Sequence, residues 1–89
     1  MDAQAFEKQL KADGYSEIET KDYLAKPENE AHVHDCSVLG LVLDGAFICR
    51  LDGCQVTFGP GDVFDVAEGV QHTEQIGETG ARILIGKKY

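Results

Sequence analysis

Three side chains carry the chemistry that this sequence advertises. His32 and His34 stand two apart, His72 lies far downstream, and no other histidine is present. On a β-strand, residues i and i+2 point to one face, so His32-Val33-His34 sets two imidazoles side by side. His72 follows the turn Gly59-Pro60-Gly61-Asp62 and an apolar stretch, and closes the site from a neighbouring strand. Neutral imidazole is a ligand for iron, nickel, zinc, manganese or copper. Three imidazoles inside a β-barrel would hold one divalent metal ion and leave positions open for water and a substrate. Such an ion polarises a substrate oxygen, lowers the pKa of bound water, or binds dioxygen beside a substrate.

Residues next to the histidines divide by parity. Glu74 lies two past His72 and on an unbroken strand shares its inward face. It is the candidate catalytic residue, as a base beside the metal or as a fourth ligand. A bulge after His72 would instead turn it out to solvent. Asp35 has outward parity. Cys36 has inward parity, and is either a soft ligand or a small buried apolar group. Cys49 alternates with Phe47 and Leu51 and reads as core. Phe58, Val63 and Phe64 read as core around the turn.

The positioning elements follow from periodicity. Ala3, Phe6 and Leu10 recur at helical spacing, Asp2 is placed to cap the first turn and Gly14 to end the last. Residues 1–14 are therefore an N-terminal helix. Residues 15–89 read as a single β domain. A weak strand covers 15–24 and a polar loop 26–30. Strands at 31–43 and 46–51 end at Asp44-Gly45 and Asp52-Gly53, both hairpin signals. Further strands cover 54–58, 63–67, 70–76 and 81–86, with a loop over 77–80. Six or seven short strands argue for an all-β sandwich or small barrel. Over 32–42 the even positions, from His32 and His34 to Val38 and Val42, face inward. The odd positions Leu39, Leu41 and Leu43 are apolar too, so this strand is covered on both faces. Either the N-terminal segment or a second copy supplies the outer cover, and the second copy is favoured, giving a homodimer.

Bulk properties exclude several partners. Eighty-nine residues suit one domain. A net charge of −8, with no stripe of basic residues, repels phosphate backbones and anionic membranes. The lysines cluster towards the two ends and read as solvated. No apolar run reaches the length of a membrane span, and the charged N-terminus lacks the apolar core of a signal peptide. Three cysteines with no CxxC suit a reducing compartment, so a cytoplasmic location is expected.

The histidine and glycine spacing resembles a small single-domain cupin. In the first cupin motif, His-x-His is followed by a glutamate and then a closing glycine. Here His32-Val33-His34 is followed by Val38 at the glutamate position and by Gly45. In the second motif, Gly61, Gly69 and His72 match, while Ala67 stands at the proline position and Ile76 at the asparagine position. The glycine that opens the first motif falls at Lys26. The resemblance covers about residues 31–76. It implies a cupin-type antiparallel β-barrel or jelly roll with a metal at His32, His34 and His72, and a small organic molecule as partner. Sites of this kind serve dioxygenases, isomerases and decarboxylases, so a metal-dependent oxygenase or isomerase is the enzyme class implied. The rival is a non-enzymatic sensor or binding module for a small molecule or metal, which the missing glutamate and asparagine favour. A structural β-module with paired histidines is the third reading.

Overall fold

The computed structural model describes residues 2–89. Helix α1 spans Ala3–Ala12, with the Asp2 carboxylate accepting from the Ala5 N–H at 2.8 Å. This satisfies one of the amide donors that a helix start leaves free. Gly14, at φ +83°, turns the chain out of the helix. Five strands follow: β1 (Ser16–Tyr23), β2 (Ser37–Leu51), β3 (Cys54–Phe58), β4 (Val63–Val66) and β5 (Thr73–Lys88). All pair antiparallel, in the order β1-β5-β2-β3, with β4 beside the first half of β2. The architecture is all-β, as the turn spacing predicts, and fits the jelly roll that the cupin resemblance implies.

Two strands are much longer than the sequence pattern predicts. A flat strand of fifteen residues would reach about 50 Å at ~3.3 Å per residue, yet the longest dimension of the molecule is 32 Å. β2 and β5 must therefore bend, and the register shows where. Val42 pairs with Ile83 and Asp44 with Arg82, so Leu43 is extra; Gly45 then pairs with Ala81 and Phe47 with Ile76, so residues 77–80 stand opposite Ala46 alone. The expected hairpin at Asp44-Gly45 and the expected loop at 77–80 are thus corrected. Both are bulged corners inside continuous strands, and that reduces the strand count to five. Glycine at positive φ serves a corner as well as a turn. The hairpin at Asp52-Gly53 is as read, with both residues at positive φ (48° and 78°), the geometry of a two-residue primed turn.

Bending folds the sheet onto itself. Val38, Val42, Phe47, Cys49, Phe64, Val66, Ile76 and Ile83 are buried between the two halves. The outer face of β2 is the second correction. Leu39, Leu41 and Leu43 lie beneath α1, packed with Phe6, Leu10 and Leu84. The first of the two possible covers, the N-terminal segment, is the one in place, so the two-sided apolar strand no longer argues for a homodimer. Leu10 has no exposed surface. Leu10→Ala should cost about 3 kcal/mol, in the ~2–5 kcal/mol range of buried leucine truncations. It would be read as a lower urea midpoint with an unchanged slope.

Candidate metal centre

The segment after β1 runs back along the free edge of β5. Lys26 bridges Ile76 and His32 bridges His72. In the second bridge each backbone N–H donates to the other residue's carbonyl, at 2.9 and 3.0 Å. This register sets His32 directly opposite His72. His34 is fixed through its carbonyl, which accepts from the Gly69 N–H at 3.1 Å. Ring centroids lie 5.0 Å apart for His32–His34, 4.4 Å for His32–His72 and 4.9 Å for His34–His72. Glu74 joins them from the start of β5, its Oε1 at 2.9, 3.7 and 3.6 Å from the Nε2 atoms of His32, His34 and His72. Four ligand atoms therefore lie within 4.8 Å of one another.

The hydrogen bonds around the rings decide their tautomers. His32 Nδ1 lies 3.0 Å from the Glu30 carbonyl, and His72 Nδ1 lies 3.0 Å from the Val70 carbonyl. A carbonyl only accepts, so both Nδ1 atoms carry the proton. In the neutral ring each Nε2 is then a bare lone pair aimed at the centre. There it meets a carboxylate oxygen, which is also an acceptor. His72 Nε2 is fully buried and has no hydrogen-bond partner. A buried acceptor without a donor costs about 1–3 kcal/mol, and His72 Nε2 is such an acceptor. A cation at the centre removes that cost, and backbone-held Nδ1–H groups are the usual outer support of metal-bound imidazole. Burial lowers the pKa of His34 from its ordinary value, which favours the neutral ring that a metal needs. The donor set of three nitrogens and one carboxylate oxygen fits iron, nickel, zinc, manganese or copper.

Solved structures share this architecture. A protein of unknown function from Rhizobium leguminosarum bv. viciae 3841 matches with a TM-score of 0.72 and 24% identity, over 80% of this chain and 67% of its own. An RmlC-like cupin from Shewanella frigidimarina NCIMB 400 matches at 0.64 and 25%, over 78% and 61%. A cupin-2 domain protein from the same organism matches at 0.66 and 19%, over 83% and 72%. The fold is that of a cupin. The chain spans about two thirds of the length of those chains. No protein-family model and no curated protein matches its sequence.

The cupin motifs place the family glutamate at Val38, and in this domain that position is buried core. The carboxylate at the centre comes from Glu74, on a different strand. Cys36 is buried in the apolar core and is not among the converging ligand atoms. Asp35 is exposed. Burial raises the pKa of the Cys49 thiol, as suits a core group. Phe64 is core and also lines a cavity beside the centre, whereas Val63 is 41% exposed.

Two sets of residues escaped sequence reasoning. Asn29 brackets Glu74: its side-chain oxygen accepts from the Glu74 N–H at 2.8 Å, and its own N–H donates to the Glu74 carbonyl at 3.0 Å. In sequence it is one polar residue in a polar loop, with no signal of its own. The second set is a correction. Lys21, Lys26 and Lys87 read as solvated ends; Lys26 is exposed as read, Lys21 and Lys87 are half-buried, and all three line the cavity together with Tyr23. Parity along 21, 23 and 83, 85, 87 was the available signal.

Proposed function

We propose that this cupin domain binds one divalent metal ion through His32, His34, His72 and Glu74 and takes a small organic molecule in the adjoining cavity. One observation carries the reading: His72 Nε2 is buried without a hydrogen-bond partner, with the Glu74 carboxylate oxygen, another acceptor, 3.6 Å away. His32 and His72 are held in the ligating tautomer by the Glu30 and Val70 carbonyls, and Asn29 fixes the backbone of Glu74. An ion held there would supply Lewis-acid or dioxygen chemistry, that of an oxygenase or isomerase.

The test is elemental analysis of protein purified without chelator or nickel resin. The expected result is near-stoichiometric metal, lost in His72→Ala. A metal-free protein whose thermal stability is unchanged by His72→Ala would overturn the reading. A non-enzymatic role has its own support, because four protein ligands satisfy a tetrahedral ion and close it to substrate. A metal-loaded protein that turns over none of a panel of small carboxylates, thiols and sugars would favour that role. No helix among the described residues is long and apolar enough to cross a membrane.

A further inference from the structure

The cavity beside the metal centre has a charge pattern at odds with the rest of the chain. Its volume is about 190 Å³, below the ~300–1,000 Å³ of ordinary ligand pockets. Its floor is apolar, built from Val38, Phe47, Ile83 and Ile85 among others, and His34 and Glu74 form one wall. The chain has sixteen acidic and only eight basic residues, and three of those bases, Lys21, Lys26 and Lys87, line this one cavity. Lys21 pairs with Glu19 at 3.1 Å. Lys26 and Lys87 make no ion pair among the described residues, in a molecule with a twofold excess of carboxylates.

Register shows that the placement is not incidental. Lys21 pairs with Ile83, and Lys87 pairs with Val38, both on the inward face. An inward lysine on an edge strand has an ordinary purpose, since it discourages pairing with other chains. That purpose applies to β1 and Lys21. It does not apply to Lys87, because β5 has neighbours on both sides there, Ser16 of β1 and Val38 of β2. Lys87 is half-buried, so its ammonium gives up part of its hydration there, and a bound anion would compensate it.

We infer that the cavity binds a small organic anion, a carboxylate on a compact apolar body, with its charge at Lys26 and Lys87. The apolar body lies on the Val38–Ile83–Ile85 floor, and the opposite end reaches the wall formed by His34 and Glu74. The assignment of that opposite end rests on the metal-centre reading; the anion's place at the lysines does not. The size of the cavity limits the ligand to about the bulk of a benzoate.

The test uses matched acids and amides: benzoate against benzamide, and isobutyrate against isobutyramide. Each is titrated into metal-loaded and chelator-treated protein and followed through the methyl NMR signals of Val38, Ile83 and Ile85. In at least one pair the acid should bind tenfold or more tighter than the amide. The preference should shrink at least threefold in Lys87→Gln and in Lys26→Gln and vanish in the double variant. Amide affinity should stay within twofold throughout, which shows that the cavity is intact. A preference retained in chelator-treated protein supports the inference even where the metal reading fails. A preference that needs the metal and survives in the double variant assigns the anion to the ion and overturns the inference. Equal binding of acid and amide in both pairs, or no binding, also overturns it.

Discussion

Glu74→Gln should move stability in opposite directions with and without metal. In metal-free protein the glutamine amide supplies what the site lacks, a donor facing imidazole lone pairs. Giving the buried His72 Nε2 a donor is worth about 1 kcal/mol, so the metal-free variant should unfold at higher urea than the metal-free parent. With metal the order reverses. A ligand present at one hundred times its dissociation constant stabilises the native state by about 2.7 kcal/mol. The variant, having lost its only anionic ligand, should lose most of that increment. A simple ion pair between Glu74 and a protonated His32, 2.9 Å apart, requires the other sign in metal-free protein, because removing the carboxylate leaves a cation unpaired. Urea titration of parent and variant, each with chelator and with saturating metal, separates the two. Destabilisation of the metal-free variant would reject the acceptor-cluster account.

The histidines were legible because their signal is local: i, i+2 spacing put two on one face, and the third follows a turn that glycine and proline announce. The expected strand over 31–43 is corrected at its start, since β2 begins at Ser37 and His32 is tied to His72 by an isolated bridge ahead of it. Glu74 was legible by the same parity. Asn29 was not, because its contribution is the pairing of a loop with the edge of β5, and pairing partners leave no mark in a single sequence. The corners were misread for a related reason. Asp44-Gly45 has the composition of a hairpin turn, and the left-handed backbone that glycine permits serves a reversal and a bulge equally. Only the opposing strand, which places Gly80 and Ala81 against Gly45, distinguishes them. The lysines were misread because charge was judged by position along the chain rather than by parity. Lys21 and Lys87 continue inward faces whose other members are plainly apolar.

The corner at Gly45 is where the largest loss of stability is expected. Gly45 has φ +78°, and a Cβ there would lie 1.9 Å from the Gly80 carbonyl oxygen. Gly80 cannot retreat, since it too has positive φ and a Cβ on it would meet the Tyr23 carbonyl oxygen at 2.6 Å. Three strands are thus in backbone contact at one point. For Gly45→Ala the left-handed conformation alone costs about 1–2 kcal/mol, and the collision adds to this because no flexible side chain can yield. A total above about 3 kcal/mol is a large fraction of the ~4–13 kcal/mol expected for a domain of this size. Gly53→Ala is the control. Its φ is the same +78°, but nothing lies within 4 Å of the added methyl, so its cost should stay within the ~1–2 kcal/mol of the backbone conformation. The difference between the two variants in urea midpoint isolates the corner from the backbone conformation. The same corner sets the two halves of the sheet against each other, with Ile83 and Lys87 on one side of the cavity and Phe47 and Glu74 on the other. Any Gly45→Ala protein that still folds should therefore bind cavity ligands more weakly. Its metal affinity should change less, because the bridge between His32 and His72 lies on one side of the bend. Equal stability of the two variants would mean that the bend does not depend on this contact.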